Sequence, residues 1–177
     1  MRGFTIIEMV AVFAIIGILS SLAFIGGRAG DRSLALERSA HQVAQHIRKA
    51  GELAFGAELS AICGTFSGYG VYFDANTPDR YILYGNCNGS DGYRNNGPNP
   101  DQIVETFLLD PAVEIGSVSD GGAWSVAFFP PEPRIALCAS DACSTSLATA
   151  SLTLRVKSDT SNTRVITINE KGTIDID

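Results

Sequence analysis

Much of the equipment of catalysis and nucleic-acid binding is missing from this 177-residue chain. Only two histidines occur, His41 and His46. Five apart, they fall on different faces of a helix and form no HExxH pair, so they read as partly exposed helix residues. There is no P-loop and no GxGxxG. Serine is abundant, but no histidine and acid stand at spacings that would make it a nucleophile. These absences predict a protein that is not an enzyme and needs no cofactor. Lysine and arginine number 13 against 19 acids, for a net charge of −6. Arg2 and Glu8 cancel, so residues 28–177 also carry −6. A protein that grips nucleic acid through its phosphates needs the opposite balance, so a nucleic-acid partner is not indicated. None of the four cysteines, Cys63, Cys87, Cys138 and Cys143, forms a CxxC pair. Disulfides are the favoured reading; a zinc site, which wants closer pairs or histidine partners, is the competitor.

Charge is absent altogether from Met9 to Gly27, and so is proline. As a helix, a run of this length can cross a bilayer. An acid, Glu8, stands directly against it, where a buried charge is expensive. Three readings compete. A cleaved secretory signal peptide could use Ser21-Leu22-Ala23 as a small-x-small site, but a single Arg followed by an acid is a poor leading segment for one. A plain signal anchor has the length, yet Arg2 on one side and Arg28 and Arg32 on the other set its orientation poorly. Neither gives Glu8 a role.

The third reading does. The segment Gly3-Phe4-Thr5-Ile6-Ile7-Glu8-Met9-Val10, followed by the AIIGIL run at Ala14–Leu19, resembles the processing site of type IV pilins and pseudopilins. In that family a membrane-embedded prepilin peptidase cuts after the glycine and methylates the new amino terminus, usually Phe. An acid four positions beyond that Phe is the family's hallmark. The resemblance covers about the first twenty-five residues. It implies cleavage between Gly3 and Phe4, N-methylation of Phe4, and an assembly role for Glu8. One helical turn apart, the new ammonium of Phe4 and the Glu8 carboxylate would lie near the positive end of the helix dipole. In a filament, Glu8 would pair instead with the terminal amine of a neighbouring subunit and fix the axial register. Two departures from the family stand out. The implied leader, Met1-Arg2-Gly3, is shorter and less basic than most. The proline that many pilins carry in the apolar run is missing, and Gly26, Gly27 and Gly30 at its end predict a bend or frayed joint.

From about Asp31 to Leu59, apolar residues at Leu36, Ala40, Val43, Ala44, Ile47, Leu53 and Ala54 recur every three or four positions. This predicts an amphipathic helix continuing the first one. After Leu59 the period changes to two. Strands are expected at Gly70–Phe73 and Arg80–Tyr84 around a turn at Asp74–Asp79, at Ile103–Leu109 and Ala112–Ile115, and at Trp124–Phe129 and Arg134–Cys138. Pro130, Pro131 and Pro133 predict a rigid crossover between the last two. The tail reads as a meander: Leu152–Val156, a turn at Asp159–Asn162, Arg164–Ile168, a tight turn at Glu170-Lys171-Gly172, and Thr173–Ile176. This ending weakly resembles that of minor pseudopilins of the type II secretion system and related minor pilins. The hairpin could bring Cys63 near Cys87, and Cys138 with Cys143 would close a short loop; both are disulfide candidates. Between Asn86 and Asp101 lies a polar loop rich in Gly and Asn. Asn86, Asn88, Ser90 and Asp91 form a weak calcium candidate that matches D-x-N-x-D-G only loosely and has no bidentate Glu. An exposed surface loop is the favoured reading, and no metal is expected.

The expected fold is therefore α+β and pilin-like, a long N-terminal helix packed on an antiparallel sheet of about five to eight strands. Its expected parts are a leader at 1–3, a transmembrane and assembly helix at 4–27, an amphipathic continuation at 28–60, and a β-rich head at 61–177. The resemblance implies a structural subunit, a minor pilin or pseudopilin, of a type IV pilus or type II secretion-like filament. Its implied partners are other pilin subunits, prepilin peptidase, a membrane assembly platform, and membrane lipid before assembly. The implied location is the cytoplasmic membrane with the head outside, then an extracellular or periplasmic filament. The alternative is a single-pass anchored extracytoplasmic binding domain that never assembles.

Overall fold

In a computed structural model, the described residues are 5–56, 67–89, 92–97, 99–131, 134–139 and 145–177; the side chains of 22–29, 120, 145 and 146 are not among them. One helix, α1, runs from Ile6 to Phe55, about 75 Å at 1.5 Å per residue. It is unbroken across Gly26, Gly27 and Gly30, which corrects the expected frayed joint. A glycine in a helix interior costs roughly 1 kcal/mol relative to alanine, too little to end a fifty-residue element.

Among the described residues ten strands follow: β1 Gly68–Asp74, β2 Arg80–Asn86, β3 Gln102–Leu108, β4 Val113–Val118, β5 Ala123–Phe129, β6 Arg134–Ala139, β7 Thr145–Ser146, β8 Thr149–Val156, β9 Asp159–Asn169 and β10 Ile174–Ile176. They form two sheets where one had been expected. The larger has the order β3-β2-β1-β5-β6-β7 and the smaller β10-β9-β8-β4. Every described pairing is antiparallel. β5 and β6 pair directly, with Phe129 opposite Arg134, so the proline segment is a hairpin connection and not a crossover. The β8–β9 turn falls at Lys157-Ser158; Asp159–Asn162, expected as the turn, begins β9. Gly172 has φ of 78° at the β9–β10 turn, the left-handed backbone that glycine adopts freely.

The helix serves both sheets. It packs on β1 and β5 of the larger and on β4, β8 and β9 of the smaller. Leu36, Val43, Ile47 and Ala50 meet a shared core containing Phe73, Trp124, Val126, Leu152, Leu154 and Ile166. The fit is also close at Gly70, which alternates with the core residues Tyr69 and Val71 on β1: a Cβ there would lie 2.5 Å from the Tyr84 ring and 2.6 Å from the Val126 carbonyl oxygen. β3 is the exception in burial: it forms one sheet edge, and Ile103, Val104 and Leu108 on it are exposed.

Candidate functional site

Gly3 and Phe4, the expected cleavage site, lie outside the described residues. The helix they lead into begins at Ile6. Thr5 has extended backbone at the cap position, and its side chain makes no capping hydrogen bond. Its carbonyl oxygen accepts from the N–H of Glu8 at 3.1 Å and of Met9 at 3.3 Å. Glu8 thus sits in the first turn, at the positive end of the dipole. It is exposed and has no ion-pair partner among the described residues.

Every described side chain from Thr5 to Ser21 is exposed, and the pattern is not one-sided. Ile6 is 86 % exposed, Phe13 67 %, Ile16 52 % and Leu19 61 %. From Leu36 onward the same helix buries a regular stripe. A helix apolar on all faces needs an apolar surround, and the head of this chain does not supply it to residues 5–21. Among the described residues, no helix is long and apolar enough to cross a membrane. The charge-free run continues in the sequence to Gly27.

Polar contacts fasten the rest of the helix to the head. Arg164 on β9 donates to Glu37 at 2.9 Å, and His41 lies 3.2 Å from the same carboxylate. The Arg164 hydrogen bond and charge hold the Glu37 carboxyl below its ordinary range, with a smaller contribution from His41. Arg32 donates to Ser158 at 2.8 Å. Lys49 pairs with Glu105 on β3 at 3.0 Å. His46 is not merely a partly exposed helix residue. Its Nδ1 is hydrogen-bonded to the Tyr81 hydroxyl at 2.7 Å, and its ring stacks on Phe107 with centroids 3.7 Å apart. Burial, then the Lys49 charge, lowers its pKa, against an opposing effect of Glu105. Burial raises that of the Tyr81 phenol.

The polar loop after β2 is organised by a residue the sequence did not single out. Asp101 is buried, and its carboxylate accepts from Cys87 N–H at 2.9 Å, Asn88 Nδ2 at 2.9 Å and Arg94 N–H at 2.7 Å. Burial raises its pKa while these three donors pull it down. Tyr93 tucks the loop onto the sheet, 4.6 Å from the Tyr72 ring and 4.9 Å from that of Tyr84. Nothing in residue type alone distinguishes Asp101 from the other acids, so no sequence signal could have found it. Of the calcium candidates, the Asn86 side-chain oxygen accepts from Gly89 N–H, and Asn88 is held by Asp101. Ser90 and Asp91 lie outside the described residues, and no group of three or more His, Cys, Asp or Glu suited to a metal occurs among those described. Cys87 and Cys138 are each disulfide-bonded; Cys63 and Cys143, their expected partners, lie outside the described residues.

Residues 1–24 match the family model for the prokaryotic N-terminal methylation motif. This segment is a prepilin-type signal. The motif spans Gly3, Phe4 and Glu8 together with most of the apolar run, and it supports a type IV pilin-like protein, the kind that prepilin peptidase processes. Comparison with curated proteins and with solved structures returned no significant match.

Proposed function

We propose that this chain is a structural subunit, a minor pilin or pseudopilin, of a type IV pilus or a type II secretion-like filament. It has no catalytic role and takes part with no cofactor. The observation that carries the reading is the methylation motif running into a helix whose described side chains up to Ser21 are exposed, with apolar residues on all sides. Before assembly the bilayer surrounds that half, with the head outside the cytoplasmic membrane. In the filament, the same helices of neighbouring subunits surround it, so one apolar environment replaces another at little net cost. Glu8 is the one charge in the way. Paired with the methylated amine of a neighbour's Phe4, it is neutralised only when that neighbour is in register. Disulfides Cys63–Cys87 and Cys138–Cys143 brace the head in an oxidising compartment.

The test is Glu8→Val, expressed in place of the wild-type chain. Membrane insertion and processing at Gly3–Phe4 survive, and incorporation into sheared filaments is lost. Incorporation at the wild-type level would overturn the assembly role of Glu8.

A further inference from the structure

The loop between β2 and β3 contains two Asn-Gly pairs, Asn88-Gly89 and Asn96-Gly97. They have the same covalent potential. A deprotonated backbone nitrogen of glycine attacks the Asn Cγ, a C–N bond forms, and the Cγ–Nδ2 bond breaks with ammonia leaving. Water then opens the cyclic imide to Asp or isoaspartate. Glycine favours this because no side chain shields its nitrogen, and the ring demands backbone freedom that glycine has.

The fold treats the two pairs oppositely. At Asn88 both reacting groups are engaged. Its Nδ2 donates to Asp101 Oδ1 at 2.9 Å, and the Gly89 N–H donates to Asn86 Oδ1 at 2.9 Å. The Asp101 carboxylate also opposes the negative charge that develops as the amide is attacked. At the second pair, Asn96 and Gly97 are both exposed. Gly97 has φ of 103°, and among the described residues beyond its chain neighbours the only atom within 4 Å of a Cβ built on it is Arg94 Cδ, at 4.0 Å. No described hydrogen bond ties down either residue. The Asn99-Pro100 pair nearby is excluded by chemistry, since proline has no N–H to deprotonate.

We propose that Asn96-Gly97 is a site of spontaneous deamidation in the folded protein and that the Asp101 clamp protects Asn88-Gly89 from the same reaction. The reaction needs only water and hydroxide. It adds one negative charge to an exposed tip of a chain already at −6, so an aged subunit differs in charge from a new one at its surface.

Arg94 makes the test clean. Trypsin cleavage there, after reduction and alkylation, puts Asn88 in the peptide 81–94 and Asn96 in the peptide 95–134. The full chain is incubated folded at mildly alkaline pH, a parallel sample is incubated in urea, and both are mapped by mass spectrometry. In urea both peptides gain the amide-to-acid mass at comparable rates. In the folded chain the 95–134 peptide converts roughly tenfold or more faster than 81–94, because two hydrogen bonds must open before Asn88 can react. Asn96→Gln abolishes the conversion in 95–134, and Asp101→Asn raises it in 81–94. Equal rates in the folded chain would refute the protection. An intact Asn96 in the folded chain, over a period in which the urea sample converts, would refute the site.

Discussion

The two halves of α1 are one continuous helix in opposite situations. From Leu36 to Ala54, apolar residues three and four apart vanish into the junction of two sheets, and charged residues such as Glu37 and Lys49 reach across to Arg164 and Glu105. From Ile6 to Leu19 the side chains are more uniformly apolar, yet all are exposed. Hydrophobicity therefore does not by itself say which half is core. A one-sided stripe matches a partner within the chain; an all-round apolar surface calls for one outside it. Each large side chain there gains about 1.5–3 kcal/mol on leaving water, a driving force that the folded head leaves unused and that holds this half in an apolar surround, first the bilayer and then the filament.

The contrast can be broken most forcefully at the buried stripe. Leu36→Ala and Ile47→Ala each remove a fully buried side chain from a core shared by both sheets. Each is expected to lower stability by about 2–5 kcal/mol, read by urea unfolding of the detergent-solubilised full chain. A next, smaller effect is expected at Gly70→Ala. The added methyl meets the Tyr84 ring and a backbone oxygen, and overpacking of this kind costs about 1–3 kcal/mol; the same unfolding curve reports it.

His46 sharpens the comparison through pH. Its folded pKa lies below the ordinary 6.5, so the unfolded chain takes up a proton before the folded chain does. The associated stability is present above that value and is lost as pH falls through the window below it. The urea midpoint should therefore drop on acidification from about pH 7.5 to 5.5, and His46→Gln should flatten that drop. The smallest effect belongs to the exposed half. Ile15→Ala should leave head stability within about 0.5 kcal/mol of wild type. A loss like that of Leu36→Ala would mean that residues 5–21 pack on the head after all.

The helical stripe was legible because its period is local: Leu36, Ala40, Val43 and Ile47 declare it without reference to the rest of the chain. Most strands were legible for the same reason, as at Leu152–Val156 and Arg164–Ile168. The division into two sheets was not. It depends on β5 pairing with β1 and on β8 pairing with β4, partners about thirty or more residues away, and alternation does not name a partner. Asp159–Asn162 read as a turn because exposed polar strand residues have the composition of a loop. At the candidate site, the methylation motif over residues 1–24 was legible because processing is a chemistry of short sequence. Asp101 and the His46–Tyr81–Phe107 contact were not, since a clamp or a stack between distant segments leaves no local pattern.

The proposed passage from membrane to filament starts at the amino terminus, and mass spectrometry of the mature protein reads it directly. The expected result is a chain beginning with N-methylated phenylalanine at Phe4. A mature chain beginning at Phe24 would show that the apolar run is a discarded secretory signal and would contradict the account.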